Sequence, residues 1–254
     1  MPDQALRKHR SNRVFKSLHK PLTYLGVERT LFYFACVAAV GSFNLFNSLL
    51  AGIAVFTLAS RAQNMVSLHA ACVGLDGRGI LLMGSSGSGK STVALHCLLN
   101  GFDFLSEDSV FVEPRTMLAT ATSNFLHVRA DSLLWLGRSR FSTMIRKSPI
   151  IRRRSGVEKY EVDLRQKDFR LAASPLKIIA VAFLSSASAG AGTILNPLPD
   201  RELRSRLGDL QAYGASLPQW RMFSGRLSRL GAFEIRRGSH PLQTVDALRS
   251  LLEG

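Results

Sequence analysis

Acidic residues are scarce in this 254-residue chain: 18 aspartates and glutamates stand against 33 lysines and arginines, a formal net charge of +15. Such an excess attracts anions, whether nucleotide, acidic peptide, nucleic acid or membrane surface, and equally describes a merely basic soluble surface. Cysteine is scarcer still. Cys36, Cys72 and Cys97 lie in apolar stretches with no CxxC pair and no metal-ligand spacing. That argues against a disulfide framework and suits a reducing, cytoplasmic setting. The histidines do not cluster either: His9, His19, His96, His127 and His240 show no metal-type grouping. No internal repeat, helix-turn-helix, zinc finger or aromatic-interleaved basic strip is present, so no nucleic-acid partner is expected.

A continuous apolar run is also missing where one would matter most. Thr30 to Ser60 carries no charge, yet its apolar blocks Leu31–Val40 and Leu49–Leu58 are split by the segment 41–48. Each block falls short of the roughly 20 residues that a membrane-spanning helix needs, and Asn44 and Asn47 would sit near mid-membrane. The expectation is therefore buried helices packing on a sheet, with membrane contact through residues 30–60 as the alternative. Residues 1–29 are basic and weakly patterned, too long a leader for a signal peptide and followed by no small-residue cleavage site. The chain reads as a basic leader plus apolar helical segment over 1–65 and a nucleotide-binding domain over 66–254.

That second region carries the chemistry. Ser67–Val73 and Gly79–Met83 read as strands joined by Leu75-Asp76-Gly77-Arg78, and Asp-Gly between apolar runs predicts a tight hairpin. Directly after comes Gly84-Ser85-Ser86-Gly87-Ser88-Gly89-Lys90-Ser91, which satisfies G-x-x-x-x-G-K-[ST] at every constrained position. The pattern has a physical reason. Glycines and small residues let backbone N–H groups turn inward around phosphates, and a following helix N-terminus adds partial positive charge. Lys90 reaches the outer phosphates and Ser91 ligates Mg²⁺. The helix is expected over Ser91–Asn100, with Val93, Ala94, Cys97 and Leu98 on one face and Gly101 as its stop.

Phe102–Leu105 reads as a short strand ending in Ser106-Glu107-Asp108. Side chains at such a strand end face the ligand crevice of an α/β sheet. One carboxylate can hold Mg²⁺ while its neighbour takes a proton from an attacking hydroxyl; a solvated acidic turn is the plain alternative. His69, alone in an apolar strand, is by itself more often a satisfied core residue than a catalytic one. Arg129, in His127-Val128-Arg129, is a candidate phosphate contact. Val110–Val112 continues extended to Pro114, and the stretch from Arg138 to Arg154 is basic, without a clean period, and reads as surface. Ile178–Leu184 is a continuous apolar run that predicts a central buried strand. A helix is expected from about Asp200 with Leu203, Leu207 and Leu210 inward, then a strand at Phe233–Ile235. A last helix follows Pro241, burying Leu242, Val245, Leu248 and Leu252.

The order Leu68-His69-Ala70-Ala71, hairpin, Gly84–Ser91, helix, Gly101, Leu105-Ser106-Glu107-Asp108 resembles the kinase domain of HPr kinase/phosphorylase. That family places a histidine before a hairpin, then a P-loop, then a carboxylate pair that is usually Asp-Asp. Here His69 lies 15 positions before Gly84, and Glu107 lies 17 after Lys90. The hairpin ahead of the P-loop also sets this family and its phosphoenolpyruvate carboxykinase relatives apart from GTPases and ABC ATPases. The resemblance covers roughly 60–254, most specifically 68–108.

What it implies is an α/β P-loop kinase domain of the HPr kinase/phosphoenolpyruvate carboxykinase-like type, a mixed sheet with flanking helices. It implies ATP and Mg²⁺ as cofactors and a serine-bearing protein, peptide or small molecule as acceptor, in a homo-oligomer. Glu107 falls at the position of the general base, Asp108 at the second acidic position near the metal, and His69 near the transferred phosphate. Glutamate in place of the usual first aspartate shifts the carboxylate by roughly 1 Å, a displacement that can cost about 100-fold in rate. Two other readings stay open: a nucleotide-binding regulatory module without turnover, and a membrane-associated nucleotide-binding protein.

Overall fold

The computed structural model describes residues 23–24, 27–28, 64–121, 124–152, 156–165, 169–173, 175–190 and 192–254. Leu31–Val40, Leu49–Leu58 and Cys36 lie outside them. The chain divides into two compact units, Met1–Gln63 and Asn64–Gly254. In the first, Thr23–Tyr24 (β1) and Val27–Glu28 (β2) pair antiparallel. Among the described residues no helix is long and apolar enough to cross a membrane.

The second unit is a mixed sheet with helices on both faces. Its strands are Val66–Leu68 (β3), Ala71–Leu75 (β4), Arg78–Met83 (β5), Asp103–Ser106 (β6), Val110–Glu113 (β7) and Leu118–Thr120 (β8). Phe125–Val128 (β9), Ile150–Arg152 (β10) and Glu158–Asp163 (β11) form a separate three-stranded antiparallel sheet in the order β10-β11-β9. Leu176–Ser188 (β12), Leu195–Pro197 (β13) and Ala232–Arg237 (β14) rejoin the large one, ordered β3-β7-β8-β12-β5-β4-β6, with β14 on β12 and β13 on β14.

The tight hairpin forms as the Asp-Gly signal predicts. β4 and β5 pair antiparallel with Leu75 opposite Arg78, and Asp76 and Gly77 both take positive φ, 50° and 78°. That is the combination a two-residue primed turn demands.

β5 and β12 pair parallel, and β12 pairs parallel with β14. Both faces of these strands are covered, which is why Ile80–Met83 and the β12 run are apolar almost without a break. Ile80 and Leu82 enter one core with Ala180, Ala182 and Leu184; Leu81 and Met83 enter the other with Leu176, Ile178, Val181 and Phe183. Even numbers serve one core before position 179 and the other after it. The register shift between Ile178 and Ala180 is the cause, since one extra residue reverses which face each side chain meets.

Lys90–Leu99 (α1) and Pro241–Glu253 cover the first core with Val93, Ala94, Cys97, Val245, Leu248 and Leu252. Asp200–Leu210 and Trp220–Leu230 cover the second with Leu203, Leu207, Phe223 and Leu227. A fully buried Leu or Phe contributes on the order of 1.5–3 kcal/mol, so these faces hold the sheet edges that carry the site. Burial also pushes the Cys72 and Cys97 thiols far up, leaving both as inert apolar filling.

Three expectations need correction, and one element was not expected. Ser67–Val73 is two strands, not one: β3 pairs with β7, β4 with β5 and β6, and the chain steps between partners at His69-Ala70. The basic stretch is not patternless surface. Ser139 caps the helix Arg140–Arg146 by accepting from the Ser142 N–H at 3.1 Å, and Ile145 is buried beneath it. Leu242 is exposed, because the last helix opens on its solvent side there. The amphipathic helix Trp220–Leu230 has no counterpart in the sequence reading.

Candidate phosphate-binding and catalytic cleft

One end of the large sheet gathers the chemistry. β5, β6, β12 and β14 all finish there, and β4 starts there, with Ala71 opposite Leu82. Ligands of open α/β sheets bind outside the carboxyl ends of parallel strands. At this end lies a cleft of about 1030 Å³, bordered by the loop after β5, by His69, by Glu107 and Asp108, and by His127 of β9. The structure thus brings together the sequence-predicted residues Ser86–Ser91, Glu107, Asp108, His69 and Arg129. Arg129 reaches the cleft with its guanidinium paired to Asp131 at 3.0 Å.

The loop Gly84–Gly89 turns as its residue types require. Gly87 and Gly89 take φ of 83° and 101°, a region that favours glycine. At Gly84 a Cβ would stand 2.6 Å from Ser88 Oγ and 2.9 Å from the Leu184 carbonyl oxygen, so the first glycine is demanded by close packing on β12. α1 begins at Lys90, whose ammonium is buried and donates to the carbonyl oxygens of Gly84 at 2.6 Å and Ser85 at 3.2 Å. Its pKa is lowered, above all by burial; Asp108 opposes this, Lys159 adds to it and Glu107 opposes it. Ser88 Oγ is buried without a hydrogen-bond partner. Buried polar groups are nearly always paired, so this hydroxyl inside a glycine loop is placed where it could donate to a phosphate oxygen.

Glu107 and Asp108 are neighbours with opposite surroundings. The Glu107 side chain is 3% exposed, the Asp108 side chain 49%. Glu107 Oε1 accepts the His127 backbone N–H at 3.0 Å and contacts His127 Nδ1, while Oε2 is buried with no partner. The far side of the His127 ring approaches Glu161 Oε1 of β11 at 3.4 Å. Asp108 Oδ1 lies 3.0 Å from His69 Nδ1 in the open cleft.

His69 owes its place to a side chain on the other core. Gln211 Oε1 accepts the His69 N–H at 2.8 Å and Gln211 Nε2 donates to the His69 carbonyl at 2.9 Å. A buried amide therefore satisfies both backbone groups at the step between β3 and β4.

Sequence reasoning did not assign roles to His127, Glu161, Lys159 or Trp135. In the sequence His127 stands out only as one of the ungrouped histidines and as part of His127-Val128-Arg129. Nothing local pairs it with Glu107, 20 residues earlier, because the pairing is made by packing the small sheet against the end of β6. Among the described residues, no cluster of three or more His, Cys, Asp or Glu could hold a metal alone. Ser91 and Asp108 do offer hard oxygen donors in the same cleft, which suits Mg²⁺ shared with phosphate oxygens rather than caged by protein.

No protein-family model matches the chain, and no curated protein matches it. Among solved structures it is similar to the HPr(Ser) kinase/phosphatase from Coxiella burnetii, with a TM-score of 0.33 and 11% identity, covering 72% of this chain and 88% of that one. Likeness at that level assigns no residue a role.

Proposed function

We propose that the chain is an ATP- and Mg²⁺-dependent kinase that transfers the terminal phosphate to a serine hydroxyl of a protein, peptide or small molecule. The observation that carries this reading is the meeting, in one cleft, of a glycine loop with a buried lysine and two carboxylates at the end of β6. Loop N–H groups and the start of α1 hold and orient the phosphates. Lys90 supplies fixed positive charge in a water-poor place, where it is worth more than in solvent. Ser91 and Asp108 would hold the metal, which when bound offsets the charge on the phosphate oxygens. Glu107 is the base, taking the hydroxyl proton at Oε2, the carboxylate oxygen that His127 leaves unused. His127 keeps the other oxygen engaged and so fixes the carboxylate plane.

A second assignment of the base is favoured by one observation. Asp108 is half exposed beside His69, whereas Glu107 Oε2 is closed off. In that version Asp108, steadied by His69, takes the proton, and Glu107 positions His127.

Transfer from γ-labelled ATP with Mg²⁺ into the peptides and small molecules of an extract of the source cells tests both. Wild type is expected to label an acceptor and Lys90→Ala to label none. Removal of a general base costs about 10²- to 10⁴-fold, so the carboxylate that acts as base is the one whose amide variant, Glu107→Gln or Asp108→Asn, loses that much without losing ATP binding. Wild type that binds ATP but labels nothing would replace the kinase reading with that of a nucleotide-binding regulatory module.

A further inference from the structure

The phosphate loop and carboxylates account for only part of the cleft. Beyond α1 its wall is the short 3₁₀ helix Ala130–Leu136, tied to the first turn of α1 by a hydrogen bond of 2.8 Å between Thr92 Oγ1 and Ser132 Oγ. This helix carries Trp135 into the cleft with 46% of its surface exposed. A large aromatic ring left half open in a cleft forgoes burial that its size would allow, and ligand sites are where such rings occur.

The indole is held, not loose. It stands perpendicular to the His240 ring, with centroids 5.2 Å apart and planes at 88°. His240 is itself fixed at the start of the last helix. Its Nδ1 accepts the Leu242 N–H at 3.1 Å and its own N–H donates to Gln243 Oε1 at 3.3 Å. Behind it lies the buried His96, 6.0 Å away ring to ring. Two rigid rings therefore border the same space as Gly87–Ser91, in a cleft at the upper end of the ~300–1000 Å³ usual for small-molecule sites. That is more room than a phosphate chain fills.

We propose that Trp135, backed by His240, is the nucleobase subsite: the base of the nucleotide whose phosphates lie in the P-loop stacks on the indole. This rests on the phosphate-binding reading of Gly84–Ser91. The occupant follows from continuity, since the aromatic wall and the loop share one cleft. Stacking on a π-face tolerates any base, so the subsite adds affinity for nucleoside triphosphates over bare polyphosphate without choosing strongly between adenine and guanine.

The test compares ATP, GTP and inorganic tripolyphosphate, each with Mg²⁺, by calorimetry and by tryptophan fluorescence. The chain has two tryptophans, and Trp220 packs beside Phe223 on the opposite face of the sheet, so quenching by ATP reports on Trp135. Wild type is expected to bind ATP and GTP roughly 10- to 100-fold more tightly than tripolyphosphate. Trp135→Ala should remove that advantage and leave tripolyphosphate affinity unchanged, while Trp135→Phe keeps most of it. Equal affinity of wild type for ATP and tripolyphosphate would overturn the subsite and leave the P-loop reading standing. So would a Trp135→Ala variant that binds ATP normally but labels its acceptor poorly, which would give the ring to the acceptor instead. If none of the three ligands binds wild type, the phosphate-loop reading fails and takes the subsite with it.

Discussion

Glu107 and Asp108 follow each other at the end of one strand, and each meets a histidine. Glu107 is sunk against His127 of the small sheet with one oxygen satisfied twice and the other not at all, whereas Asp108 meets His69 in the open cleft. Both lie in the bend just past β6 rather than in the strand itself, and that bend sends two adjacent acids into two environments. The acid pair thus divides into one carboxylate bound into the protein's interior and one half exposed beside His69 in the cleft.

Stability measurements should separate the two. Glu107→Ala should cost about 3 kcal/mol in urea unfolding, because it leaves the His127 N–H and imidazole without their acceptor in a nearly closed site. Glu107→Gln, which keeps an acceptor oxygen, should cost about 1 kcal/mol, and Asp108→Asn no more than about 0.5 kcal/mol. Equal losses for the two positions would break the distinction between them.

A third histidine shows what burial does when the ring nitrogen goes unpaired. His96 is buried, its Nε2 has no hydrogen-bond partner, and its pKa is pushed down to about 4, first by burial and then by His240. Its folded value lies below the unfolded one near 6.5, so its contribution is complete above pH 6.5. As pH falls toward 4 the unfolded chain takes up a proton that the fold refuses, and stability drops by on the order of 3 kcal/mol at most. Thermal melts from pH 7 to pH 4 should show that slope in wild type and a shallower one in His96→Leu. An unchanged slope would mean that His96 is protonated in the folded state.

The smallest effect belongs to Glu161. It is partly exposed and only 3.4 Å from His127 Nε2, so Glu161→Gln should shift stability by less than about 0.5 kcal/mol. A loss as large as that of Glu107→Ala would make Glu107, His127 and Glu161 one coupled unit.

Much of this arrangement could be read from the chain because its signals are local. Asp76-Gly77 specifies a turn through backbone conformation, Gly84–Ser91 specifies a loop through spacing, and the β12 run announces itself by composition. The rest depends on partners far apart in sequence. His127 meets Glu107 only after β9 packs beside β6, and Gln211 meets His69 across 142 positions. Period-two reasoning was also blunted where it should work best, since the register shift in β12 puts its two halves out of phase. The Arg138–Arg154 stretch hid a helix because seven residues make less than two turns, too few for a 3.6-residue period to stand out.

Gln211 gives His69 a combination that neither a strand nor a loop provides. Both ends of its amide copy what an adjacent strand would offer, one acceptor and one donor, aimed at a single residue. His69 is therefore anchored like a sheet residue while its imidazole stays as accessible as one on a loop. Asparagine would fall short of that span and glutamate would lack the donor, so the openness of the cleft beside Asp108 depends on one carboxamide of the right length.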